Sequence, residues 1–252
     1  MQIEIIGSTG AGKSTLTKNI LHANSNQDLD ILTSFTFVLR KSRTDWIKNH
    51  SVRMVLLNLF ALLACLLSFR KNFELFRFVT KTINQFPASV SGLEKFKIAR
   101  IVARNIGIYE IVDYFSTEKQ VVLADEGTIH IAHYLFVHVS VEPNVQDIKK
   151  FIDLVPIPDA VVYLKQPGAI LIRRTTTRGH KRISGNGSNN VSKFINHAAK
   201  TFEIIEESPI IKDQLLTVNG EKWEINPICS GNNPILSNAL NIVRSGINFR
   251  NG

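Results

Sequence analysis

Seven residues into the chain stands Gly7-Ser8-Thr9-Gly10-Ala11-Gly12-Lys13-Ser14, which satisfies G-x-x-x-x-G-K-[ST] at every fixed position. The glycines allow a tight turn whose backbone N–H groups converge on one point, and a helix starting at the end of that turn adds its own free N–H groups. The result is a nest for an anion. Lys13 reaches the outer phosphates of a bound polyphosphate, and the Ser14 hydroxyl is a ligand for Mg²⁺. The flanks agree with this reading. Gln2-Ile3-Glu4-Ile5-Ile6 is short and rich in β-branched residues, as a buried parallel strand is, and residues 14–23 read as a helix. A strand, a glycine loop and a helix in that order demand an α/β fold.

The loop resembles the Walker A motif of P-loop NTPases and kinases. The resemblance implies a bound nucleoside triphosphate held by residues Gly7, Ser8, Thr9, Gly10, Ala11, Gly12, Lys13, Ser14 and Thr15. A second element supports it. Residues 120–124 form an apolar strand running into Asp125 and Glu126, which resembles the Walker B element. One acid at a strand terminus orients the shell of Mg²⁺, so Ser14 and Asp125 are the candidate metal ligands. A second acid accepts the proton of an attacking hydroxyl or water, a role open to Asp125 and Glu126.

Composition limits the rest. At 252 residues and 44% hydrophobic content the chain suits one α/β domain with a sizeable core, spanning 1–252. Cys65 and Cys229 form no C-x-x-C pair, and the early strand leaves no room for a signal segment, so a reducing cytoplasm is expected. A net charge of +9 suits a polyanionic partner: nucleotide phosphates, nucleic acid or an anionic membrane surface.

Further along, residues 31–39 alternate well enough for a second strand, and Asp45 beyond it is either a substrate base or a helix cap. Residues 54–67 are almost wholly apolar. The run is shorter than the roughly 20 residues of a membrane span. A helix apolar on all sides is covered by the protein's own core, by a partner protomer in a homodimer, or by an interfacial lipid layer. Together with an amphipathic helix over 72–86, it forms a helical insertion at about 46–86. Residues 93–116 read as a long helix with Lys97, Arg100 and Arg104 on one face. His130 and His133 can share a helix face with Glu126, and His138 follows, which names a metal site as an option. Helices over 145–154 and about 191–207, and strands over 159–164 and 215–219, complete the reading, with a final helix near 234–245.

After the 159–164 strand, Arg174, Arg178 and Arg182 recur every four residues, so a continuous helix stacks them along one side, within reach of the same phosphates. The segment at about 173–188 reads as a lid, with Gly179 and the Ser184-Gly185-Asn186-Gly187-Ser188 tail as its mobile ends. This strand-then-arginine-helix arrangement resembles the lid of the thymidylate kinase and deoxynucleoside kinase group. The resemblance implies a three-layer P-loop fold with a parallel sheet and an ATP- and Mg²⁺-dependent kinase, with a nucleoside, nucleotide or related small molecule as acceptor. Lys13, Asp125, Glu126, Arg174, Arg178 and Arg182 are then the catalytic candidates, and residues 219–226 a candidate contact for the adenine. The group commonly has arginine where Glu126 stands, so the acceptor stays open. A 5′-end nucleic-acid or sugar-intermediate kinase and a membrane-associated regulatory ATPase are the alternatives.

Overall fold

In the computed structural model, residues 1–23, 30–88, 90–179, 182–183, 188–220 and 238 are described. Five strands, β1 (Gln2–Ile6), β2 (Asp30–Thr33), β3 (Gln120–Ala124), β4 (Ala160–Lys165) and β5 (Leu215–Asn219), form one sheet in the order β2-β3-β1-β4-β5. Every pairing is parallel. Strands buried on both faces are expected to be apolar on both, and β3 and β4 read as continuous hydrophobic runs, while β1 buries Gln2 and Glu4 among its isoleucines.

Helices cover both faces. Ile3, Ile5, Val121, Leu123 and Val162 pack on α1 (Lys13–Ala23), α8 (Gly168–Arg178) and the first half of α9 (Ser188–Glu206). Ile6, Val161 and Tyr163 face the other way, toward α4 (Phe73–Asn84), α5 (Gly92–Phe115), α6 (Ile131–Phe136) and α7 (Val145–Leu154). Between β2 and α4 run α2 (Ser34–Lys41) and α3 (His50–Leu67). The α7 helix and β5 have the bounds expected from the sequence. The final helix near 234–245 lies outside the described residues except for residue 238, and so do the tail over 184–187 and most of 219–226.

One expectation needs correction. The second strand stops at Thr33 instead of running to Leu39. The Thr33 hydroxyl accepts the Thr36 N–H at 3.2 Å and caps α2, while Arg40 and Lys41 meet the negative end of that helix. Capping at both ends settles a short apolar run that periodicity leaves ambiguous. Asp45 consequently follows a helix rather than a strand, and it lies exposed in the turn before α3. The rest of the chain covers α3 on one side only. Leu57, Ala61 and Cys65 are buried, whereas Leu59, Leu62, Leu63 and Leu66 are exposed.

Candidate phosphate-binding site

The loop between β1 and α1 adopts the conformation its glycines permit. Gly7, Gly10 and Gly12 have φ of 145°, 82° and 97°. At Gly7 a side chain is excluded twice over, by the backbone angle and because a Cβ there would lie 2.8 Å from the Leu164 carbonyl oxygen. Lys13 folds back over the loop and donates from Nζ to the Gly7 oxygen at 2.8 Å and the Ser8 oxygen at 3.4 Å. Loss of solvent draws its pKa from 10.5 down to about 8, against the pull of Glu126, Asp125 and Glu4.

A cavity of about 460 Å³ opens above this loop, lined by residues 9–15 and by Lys18, Glu126, His130, His133, Tyr134, Arg178 and Arg182. The strand end expected to face the loop does so. Asp125 accepts a hydrogen bond from the Thr17 hydroxyl on α1, which ties the end of β3 to the helix carrying Ser14. Glu126 reaches the cavity with 43% of its side chain exposed; the Tyr134 hydroxyl donates to it at 2.8 Å, and Arg104 lies 3.9 Å away. Of the basic stripe on α5, Arg104 turns toward this carboxylate, while Lys97 and Arg100 stay exposed.

The three arginines separate. Arg174 donates from Nη1 to the Gly10 oxygen at 3.2 Å, bracing the loop from behind. Arg178 ends α8 and faces the cavity. Gly179, with φ 68°, then breaks the helix, so Arg182 is not stacked in register with the other two as a continuous helix requires. It instead donates to the carbonyls of His133, Tyr134 and Val137 at 3.2, 3.3 and 2.9 Å, and it lies 3.6 Å from Glu94. Arg182 is a fixed part of the cavity wall.

One element escaped the motif search. Glu4, fully buried in the middle of β1, accepts backbone N–H bonds from Gly127 at 3.1 Å, Ile129 at 3.0 Å and His130 at 2.7 Å. It holds the turn that follows Asp125 and Glu126. A charged residue within an otherwise apolar strand was the available signal. Burial raises Glu4 from 4.5 to about 7, with the three amides pulling the other way.

The histidines do not assemble a metal centre: among the described residues, no group of three His, Cys, Asp or Glu side chains is placed to hold an ion. His130 and His133 stack with centroids 5.2 Å apart, and His138 bonds the Leu135 carbonyl at 3.1 Å. Burial, Lys13 and Arg182 keep His130 neutral, well below its ordinary range.

No protein-family model matches the sequence, and no curated protein sequence matches it significantly. Among solved structures, deoxyadenosine kinase from M. mycoides with bound dCTP aligns with 96% of this chain and 99% of its own, at 18% identity and a TM-score of 0.46. The same enzyme with bound dATP aligns over 96% and 100% at 14% identity and a TM-score of 0.45. With the products dCMP and a flexible dCDP the figures are 100%, 99%, 14% and 0.44. The fold assignment stands on the chain's own geometry rather than on these likenesses. A glycine loop after the central strand β1, an acid after the adjacent β3 and a fully parallel β2-β3-β1-β4-β5 sheet make this a P-loop α/β fold.

Proposed function

We propose that the chain is an ATP- and Mg²⁺-dependent phosphotransferase whose acceptor is a nucleoside, a nucleotide or a related small molecule. The observation that carries this reading is the convergence, in one cavity, of the phosphate loop, the Lys18 and Arg178 cations and the Glu126 carboxylate. A polyphosphate fits the loop because Lys13 already donates to two loop carbonyls there, and it can exchange those oxygens for phosphate oxygens. Mg²⁺ fits the hard oxygen donors Ser14 and Asp125, the latter oriented by Thr17. An ion held by Ser14 and Asp125 would offset the negative charge of the phosphates.

The chain's own groups supply the remainder. Loop amides and Lys13 bind and orient the phosphates, and Arg178 adds positive charge at the outer end of the cavity. Glu126, oriented by Tyr134 and Arg104, accepts the proton of the attacking hydroxyl. The acceptor class rests on the sequence resemblance of the arginine helix after β4.

The test is transfer of labelled γ-phosphate from Mg·ATP to nucleosides, nucleoside monophosphates, oligonucleotide 5′ ends and sugars. Label on a nucleoside or nucleotide, absent with Lys13→Ala, is the expected result. Label found only as free phosphate overturns it in favour of an ATPase.

A further inference from the structure

Helix α3 carries an apolar face that no described part of the chain covers. Its inner side sits so close to α5 that a Cβ at Gly107 would lie 1.7 Å from the Ala61 carbonyl oxygen. On the opposite side Val52, Val55, Leu59, Leu62 and Leu66 recur at three- and four-residue steps, all exposed, Leu66 at 61%. A contiguous exposed face of this kind marks a contact with something else.

Charge decides what that is. Between Asp45 and Glu74 the sequence contains no acidic residue, whereas Lys48 and Arg53 stand at one end of α3 and Arg70 and Lys71 at the other. A second copy laid along the same face sets Lys48 and Arg70 against cations whether parallel or antiparallel, because Glu110 and Asp113 at the carboxy end are already engaged by Lys71. An anionic lipid surface answers both ends at once. Lys71 is also met within the chain, by Glu110 at 3.1 Å and Asp113 at 3.8 Å, and Arg53 is turned inward, 5.2 Å from the Phe35 ring, so the exposed Lys48 and Arg70 remain for the lipid. Trp46, 76% exposed, stands at the amino-terminal edge, and an exposed indole suits the headgroup layer. The 18 residues of α3 span about 27 Å, short of the roughly 30 Å hydrocarbon core, and one side is already packed on α5.

We infer that the outer face of α3 docks the protein on an anionic lipid surface, with the helix in the plane of the headgroups. The contact is independent of phosphoryl transfer. It is tested by co-sedimentation of the full chain with vesicles of phosphatidylcholine alone and of equal parts phosphatidylcholine and phosphatidylglycerol. Binding to the mixed vesicles at least about tenfold tighter than to the neutral ones, weakening as salt rises, is expected. Trp46 emission, isolated by comparison with Trp46→Phe, shifts to shorter wavelength in the same titration.

The double variant Leu62→Glu/Leu66→Glu changes only exposed positions, so it keeps the wild-type Tm and loses binding about tenfold or more. The inference is overturned if the wild type stays in the supernatant with both vesicles, or if the variant binds as the wild type does. It is equally overturned if the wild type is a dimer that the variant dissociates, since a second copy then covers the face.

Discussion

Glu4 offers the most searching test of how the site is held. Replacing it by alanine removes the acceptor of the Gly127, Ile129 and His130 N–H groups in a fully buried place. Each buried donor left without a partner costs about 1–3 kcal/mol, and a water entering the vacated space recovers part of that. The expected loss is on the order of 4 kcal/mol, a large share of the roughly 5–15 kcal/mol that keeps a domain folded. Glutamine retains one acceptor oxygen but turns an amide NH₂ toward other donors, so its cost is intermediate, about 2 kcal/mol.

The two states of Glu4 add a pH signature. The folded chain keeps this proton up to about pH 7, and the unfolded chain releases it near 4.5. Within that window the folded state binds more protons, so this group's contribution to stability falls as pH rises. Glutamine cannot titrate. The wild type's advantage over Glu4→Gln, about 2 kcal/mol at the acid end, therefore falls between pH 4.5 and 7 by on the order of 3 kcal/mol, at 1.36 kcal/mol per pH unit, which is enough to cancel it. Urea unfolding of the wild type and both variants across this range, with unchanged m, measures both effects. A loss below about 1 kcal/mol in Glu4→Ala, or a pH-independent difference between wild type and Glu4→Gln, refutes the reasoning.

Four other substitutions probe the site and its support. Lys13→Ala is expected to lower kcat for phosphoryl transfer by about a thousandfold or more with a small change in Tm; for the wild type, affinity for nucleoside triphosphate measured by calorimetry weakens as pH rises past about 8, where the free lysine loses its charge. Arg178→Ala and Arg182→Ala should divide cleanly: the first lowers kcat with Tm within about 2 °C of wild type, while the second loses three carbonyl contacts and about 2–3 kcal/mol in denaturant unfolding. Gly107→Ala forces α3 away from α5, because its Cβ would meet backbone at 1.7 Å, and is expected to cost about 3 kcal/mol or more by thermal unfolding.

The parts legible in the sequence are those in which a local pattern carries its own physical cause. The loop after β1 needs glycine at positive φ, and a strand buried on both faces needs an unbroken apolar run, so both announce themselves. The end of β2 does not. Residues 31–39 satisfy the strand pattern, and the deciding contact is a hydroxyl of Thr33 turned onto the Thr36 amide, which no periodicity records. The arginine spacing misled for a related reason: a four-residue repeat means a shared face only while the helix continues, and Gly179 ends it. Glu4 was hidden because its partners are backbone amides 123 to 126 positions away, and backbone leaves no mark in side-chain spacing.

These positions together explain how the cavity tolerates its own charge. Lys13, Lys18, Arg178 and Arg182 surround it with Glu126 as the acid on its wall; burial lowers the pKa of Lys13, and burial together with Lys13 and Arg182 keeps His130 neutral. Arg182 is retained there by the carbonyls at the end of α6, and Glu4 holds the backbone of the turn that follows Glu126. A polyphosphate brings the missing negative charge without displacing either group. It also gives Lys13 anionic partners in place of the neutral carbonyls of Gly7 and Ser8. Under the proposed function the site is assembled for an anion before the anion arrives, and much of the reorganisation that binding would otherwise require is met by contacts formed during folding.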